Sequence, residues 1–303
     1  MLKRIGLIMM ALVIWAGAGL TPIVSASTDG NSDQGINEKL GVPIVVYGDT
    51  LTDAQEEEVR NLLEVENREN VDEFYVDGQD IANYINGNPN SRMFSSVKII
   101  PQEKGEGLEV NIVTPDNITA VTKEMYANAL LTAGVEDAIV DVASPVKVTG
   151  HSALTGIYKA YDSKGVKLDE DRMEVASEEL DVATELAEKS GMDKEKVSEL
   201  LTEIKKEMAA QNPATKEEIE QIINEKLKSL NIELSEEDRQ LLINLFEKMR
   251  ALNINFDQVQ KQLEDITSSV KDLLGDKGFW QKVSTFLQRI VQALSDFFTS
   301  IFG

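Results

Sequence analysis

The chain has 303 residues and a formal net charge of −23, from 30 Lys and Arg against 53 Asp and Glu. It contains one histidine and no cysteine, so it nearly lacks the residues that supply most nucleophiles, neutral-pH bases and transition-metal ligands. This composition argues against disulfides, zinc sites and Ser/His hydrolysis, and the acidic charge argues against nucleic acid as a partner. The phosphate-binding motifs G-x-x-x-x-G-K-[ST] and G-x-G-x-x-G are also absent.

Residues 1–26 have the layout of a signal peptide. Lys3 and Arg4 precede an apolar run over residues 5–18, and the segment ends in the small residues Ser25 and Ala26. Cleavage after Ala26 would leave 303 − 26 = 277 residues with a charge of −23 − 2 = −25. An uncleaved N-terminal anchor is the alternative interpretation. We therefore expect a secreted or extracellular protein.

Strands and helices alternate over residues 41–163, after a flexible mature N-terminus at 27–40. The pattern predicts a strand at 42–47, a helix at 52–65 opened by a Thr52–Gln55 capping box, a strand at 71–76 and a short helix at 80–86. Residues 94–100 and 108–114 are expected to pair as a hairpin. A helix over 119–133 should end at Gly134, and strands are expected at 138–143 and 146–149. Ser152 should cap a last helix at 152–161.

The second half of the chain has helical periodicity. A polar segment at 164–171 is predicted to be a linker, and residues 172–276 are predicted to form an acidic helical domain. Capping signals at Thr215–Glu218 and Ser235–Asp238 start two of its helices. Apolar residues from Phe256 onward follow 3-4 spacing. The predicted fold class is α+β: a compact α/β domain, then a helical bundle and a C-terminal amphipathic helix.

Residues 278–302 carry the strongest amphipathic pattern. Their apolar face comprises Phe279, Trp280, Val283, Phe286, Leu287, Ile290, Val291, Leu294, Phe297, Phe298, Ile301 and Phe302. Such a face must be covered, either by the preceding helices or by a membrane interface or another protein. These residues are the candidate contact residues of the chain.

Other candidate sites are weak. Gly150-His151-Ser152 resembles the start of a nucleophile elbow, but Leu154 replaces the last glycine and no second histidine exists, so a structural role is expected for His151. The acidic pairs Asp77/Asp80 and residues 169–171 leave calcium open, although no EF-hand loop is present. No catalytic, cofactor-binding or metal-binding residue is predicted, and no cofactor is expected.

Several blocks of the sequence resemble the YpuA-like family, a set of exported Gram-positive proteins with a domain of unknown function. The matching blocks are residues 118–119, 122–138, 144–150 and 153–161, with Gly48–Thr52, Gln55 and Ser95–Ser96. The resemblance implies export from a Gram-positive cell and envelope association. It transfers no catalytic or binding residue.

Two functions are compatible with these features. The first is a non-enzymatic binding or interaction protein of the bacterial envelope. The alternative is a carboxylate-based hydrolase that acts on a cell-wall polymer, because its two acids need not be near each other in sequence.

Overall fold

A mixed five-stranded sheet forms the centre of the N-terminal half. The computed structural model describes residues 40–252, 254–259 and 261–262. The strands are β1 (Ile44–Gly48), β2 (Asp72–Val76), β3 (Ser96–Pro101), β4 (Leu108–Ile112) and β5 (Ala138–Ala143), in the order β2-β1-β3-β5-β4. β1 and β2 are parallel, as are β4 and β5, while β3 is antiparallel to both β1 and β5. The carboxyl ends of four strands therefore lie at one edge.

Helices account for most of the remaining described chain. They are α1 (Asp53–Leu62), α2 (Gly78–Ile85), α3 (Lys123–Ala133), α4 (Ser152–Ser163), α5 (Glu170–Ser190), α6 (Lys194–Gln211), α7 (Lys216–Ser229) and α8 (Glu236–Ala251), with a short 3₁₀ turn at Arg68–Asn70. Together with the sheet they confirm the predicted α+β fold class.

Most helix boundaries coincide with the predicted capping signals. Thr52 with Gln55 and Thr215 with Glu218 form reciprocal capping boxes, so α1 and α7 begin where predicted. α3 ends at Gly134, which has the left-handed φ of 89° that favours glycine at this position. Apolar stripes of α6, α7 and α8 are buried as their spacing predicts.

The predicted hairpin between residues 94–100 and 108–114 is wrong. β3 and β4 both form, but β5 lies between them and pairs with each. Burial explains the order, because β5 buries four of its six residues whereas β4 carries the exposed Glu109. The more apolar strand, β5, therefore occupies an internal position, and β4, which carries a solvent-exposed side chain, lies at the edge of the sheet.

Two further predictions, both next to Gly150, need correction. Residues 146–149 form no strand; Val148 makes one isolated parallel bridge with Ile118. Ser152 does not cap α4, since His151 occupies the N-cap position without a side-chain bond. A tertiary contact orders this turn instead: the Tyr126 hydroxyl donates a 2.6 Å hydrogen bond to the carbonyl of Gly150, whose φ is 109°.

The two faces of the sheet are covered by different helices. α1 covers Val45 and Tyr47 of β1 on one face, and α3 and α4 cover the other. α4 approaches the sheet closely, because a Cβ on Gly156 would lie 3.4 Å from Val97 Cγ2. Within the described residues one buried apolar cluster continues from Leu40 to Val259, through the sheet and the helices α3–α8. The division into domains at 164–171 stays a prediction.

Candidate functional site

A cleft of about 220 Å³ opens where α2, α4 and the start of α5 meet. It also borders residues 166–168, in the segment that the sequence predicts to be a linker. The residues that line it are Asn83, Tyr84, Tyr158, Asp162, Val166, Lys167, Leu168, Glu170 and Met173. Ligand sites occur preferentially at such junctions between structural units. This cleft is therefore our candidate functional site.

The floor of the cleft is apolar and aromatic. Val166 and Met173 are buried. Tyr158 is buried as well, and its hydroxyl donates to the carbonyl of Met173 at 3.3 Å, which ties α4 to α5. The rings of Tyr84 and Tyr158 meet edge to face, with centroids 6.4 Å apart. This arrangement fixes both rings and leaves a rigid floor.

The rim of the cleft is polar. Tyr84 donates a hydrogen bond of 2.9 Å from its hydroxyl to Oδ2 of Asp162. Burial raises the pKa of Tyr84 above its usual value, and the hydrogen bond and the negative charge of Asp162 raise it further. Tyr84 therefore stays a protonated donor at neutral pH. Asn83, Lys167 and Glu170 are exposed on the same rim.

Ion pairs hold the walls of the cleft in place. Lys159 Nζ of α4 lies 2.8 Å from Oδ1 of Asp80 at the start of α2. Lys164, just after α4, pairs with Asp72 of β2. Both contacts anchor α4 to neighbouring elements, so the cleft exists before any ligand arrives.

The buried carboxylates of the described chain have structural partners. Asp80 forms a capping box with Asp77 and also accepts from Lys159. Asp137 accepts from the backbone N–H groups of Gly105 and Gly107 at 3.0 and 2.8 Å. Glu179 pairs with a buried lysine of α6, and Asp238 accepts from the Ser235 hydroxyl at 2.7 Å. The Asp77/Asp80 pair considered for calcium is therefore part of a helix start.

His151 lies at the junction of α4 and α5. Its Nε2 is 3.0 Å from the Thr184 hydroxyl and 3.3 Å from Oδ1 of Asp181. Burial lowers the pKa of His151, and the negative charges of Asp181 and Glu188 oppose that shift. Both neighbours belong to α5, so His151 links the start of α4 to α5, and its structural role stays a prediction.

Across the described ranges, no three His, Cys, Asp or Glu side chains converge on a point where a metal ion could bind. The helices in this part of the chain also include none with the length and apolarity to span a bilayer. The twelve candidate contact residues between Phe279 and Phe302 lie outside the described residues.

The residues that line the cleft are not predicted from the sequence. Tyr84, Asp162 and Met173 lie up to 173 − 84 = 89 positions apart, and no local motif links them. The one available signal was the predicted junction at 164–171, because ligands favour such junctions.

The fold defines an α+β protein built on a mixed five-stranded sheet. The chain belongs to the family described as "Protein of unknown function (DUF1002)", which matches residues 47–266. This membership confirms the family resemblance found in the sequence. The chain is also similar to "Uncharacterized protein YpuA" of Bacillus subtilis (strain 168), with 37% identity over 158 residues, covering 50% of this chain and 53% of that protein. It thus spans about half the length of this relative. No solved structure matches the chain significantly.

Proposed function

We propose that this protein is a non-enzymatic binding protein of the bacterial envelope, which recognises its ligand in the cleft between α2, α4 and α5. The cleft itself carries the proposal. It combines a rigid apolar floor of Tyr158, Val166 and Met173 with polar groups on one rim. A few polar groups around an apolar floor are typical of small-molecule sites, where the floor supplies affinity and the rim supplies orientation.

Features of the sequence support an extracytoplasmic location. Residues 1–26 have the three parts of a cleavable leader, and the relative from Bacillus subtilis is consistent with a Gram-positive envelope. The mature charge of −25 would keep such a protein dispersed outside the cell. Mass spectrometry of the exported protein tests this part directly. We expect a mature N-terminus at Ser27.

The hydrolase alternative receives less support from the same cleft. The two carboxylates that line the cleft, those of Asp162 and Glu170, are exposed. Asp162 also accepts a hydrogen bond from the Tyr84 hydroxyl. The catalytic acid of such an enzyme is typically a buried carboxyl group, and neither of these two is buried. Turnover of cell-wall fragments by purified protein, with loss of turnover in Asp162→Asn, would favour the hydrolase and contradict our proposal.

Site-specific crosslinking on intact cells tests the cleft. A photoreactive amino acid replaces Lys167 on the rim, and in a matched control it replaces Lys147, which is also exposed but does not line the cleft. We expect an envelope component to be attached at position 167 and absent at position 147. Equal labelling at both positions, or none at position 167, would contradict binding in the cleft.

The C-terminal segment 278–302 is proposed to attach the protein to a membrane interface or to a protein partner. Its support is the apolar face defined by the sequence pattern. Truncation after Gly278 should leave a folded, soluble protein that no longer fractionates with the envelope. If truncation unfolds the remaining helices, the segment belongs to the core, and attachment through it fails.

A further inference from the structure

We propose that the cleft binds a small organic cation, namely an alkylammonium group that carries a short apolar body. This inference rests on the proposed binding function and names the chemical class of its ligand. It follows from the size of the cleft, from the charges around its rim and from the residues on its floor.

The cleft is too small for a large ligand. Its volume of about 220 Å³ corresponds to about seven water molecules at about 30 Å³ each. Typical drug-sized pockets start at about 300 Å³. The cleft therefore admits a small molecule, or a single substituent of a polymer, while the rest of that polymer stays outside.

The charges around the rim favour a cation. Asp162 and Glu170 contribute two negative charges, whereas Lys167 contributes one positive charge. Just beyond the rim, the positive charge of Lys159 is matched by Asp80. The rim thus has a net charge of 1 − 2 = −1, and an ammonium group would neutralise it. An anionic ligand would meet both carboxylates and the negative field of the whole chain.

The floor suits an apolar body beside that ammonium group. Val166 and Met173 are buried residues of the lining, and their side chains are apolar. The Tyr84 ring stands next to the carboxylate of Asp162, because the two side chains share a hydrogen bond. A cation held by Asp162 would therefore lie beside the Tyr84 hydroxyl and near the apolar side chains that line the cleft.

Three probes of nearly equal size separate charge from shape. The mature chain is titrated with n-butylammonium, n-butanol and n-butyrate at constant ionic strength, and amide shifts are followed by ¹H–¹⁵N NMR. We expect n-butylammonium alone to shift the signals of Lys167 and Leu168 in a saturable manner. Added salt should weaken its binding, because part of the attraction is electrostatic.

Substitutions of the cleft carboxylates test whether n-butylammonium binds in the cleft. Asp162→Asn and Glu170→Gln should each weaken n-butylammonium binding by about three- to fivefold, as expected for loss of one solvent-accessible ion pair. The matched control is Asp171→Asn, which removes an exposed carboxylate from the same helical turn but not from the cleft. Its affinity should be unchanged. Equal effects of the three variants would overturn the assignment to the cleft.

The outcomes distinguish this inference from the proposed function. If n-butanol or n-butyrate shifts the cleft signals as strongly as n-butylammonium does, the cleft binds ligands but the cation assignment is wrong. If none of the probes shifts them, the cation assignment is also wrong. The crosslink at position 167 then decides independently whether the cleft is a binding site.

Discussion

Lys205 and Glu179 form an ion pair that is sealed inside the protein. Nζ of Lys205 lies 2.6 Å from Oε1 of Glu179, and the two side chains are 0% and 1% exposed. Burial lowers the pKa of Lys205, and the charge of Glu179 opposes that shift. Thr132 of α3 donates to Glu179 at 2.6 Å, and Lys205 donates to the carbonyl of Asn128 at 2.9 Å. The pair therefore joins α3 to α5 and α6.

Breaking this pair should be strongly destabilising. We expect Glu179→Gln or Lys205→Met to lower the free energy of unfolding by about 3–5 kcal/mol, because each leaves a partner buried without its counter-charge. Urea denaturation followed by circular dichroism measures the change. Lys206→Met, which breaks a half-buried pair with Glu203 on the same helix, should cost less than about 1 kcal/mol.

Replacing both partners should be far less harmful than replacing one. The double variant Glu179→Gln/Lys205→Met buries no charge, so its cost should fall well below the sum of the single costs. A double-mutant cycle under the same conditions gives the coupling energy. Additive costs would show that the two side chains do not act as a pair.

Arg172 should stabilise the carboxyl end of α3. Its guanidinium donates to the carbonyls of Thr132 and Leu131 at 2.7 and 3.1 Å in the last turn of the helix, where the Leu131 carbonyl also accepts from the N–H of Gly134. We expect Arg172→Leu to cost about 1.5–3 kcal/mol, as for loss of hydrogen bonds from a charged donor. Thermal and urea unfolding would measure this change. The exposed Lys147→Leu serves as the control, and equal stabilities of the two variants would contradict the assigned role.

Two glycine-to-alanine substitutions should have opposite outcomes. A Cβ on Gly48 would lie 2.3 Å from the carbonyl oxygen of Met93, which is backbone and cannot rotate away. We expect Gly48→Ala to cost about 1–3 kcal/mol through overpacking. In α4, a Cβ on Gly156 would meet its nearest atom at 3.4 Å, so Gly156→Ala should be neutral or stabilise by up to about 1 kcal/mol. Denaturant midpoints of both variants would check this difference.

The single histidine should make stability depend on pH. Because burial lowers the pKa of His151 below its usual 6.5, the unfolded chain takes up this proton at a higher pH than the folded chain does. The stability contributed by the neutral ring is present above pH 6.5 and lost as the pH falls towards the lowered pKa. His151→Gln should therefore lose less stability than the wild type between about pH 7.5 and pH 5.5. Thermal melting of the wild type and the variant across this pH range measures the two losses of stability. Equal losses would show that His151 is not responsible.

Local sequence signals were sufficient for most secondary structure. Thr52, Thr215 and Gly134 act through atoms within a few residues, so their helix boundaries could be predicted. The start of α4 could not, because Gly150 is held by Tyr126, which lies 24 positions away. The cleft is similar: the Tyr84–Asp162 hydrogen bond joins residues 78 positions apart.

Residue types and their spacing along the chain are enough to predict the α+β class and the positions of most helices and strands. They also show that the chain nearly lacks the cysteine and histidine side chains that most nucleophilic and metal sites use. Tertiary structure alone decided that β5 separates β3 from β4, that Lys205 is buried against Glu179, and that the cleft forms beside α4. These features depend on which surfaces meet when distant segments compete for the same apolar neighbours. The hydrophobic pattern of one segment does not specify which distant segment it will contact.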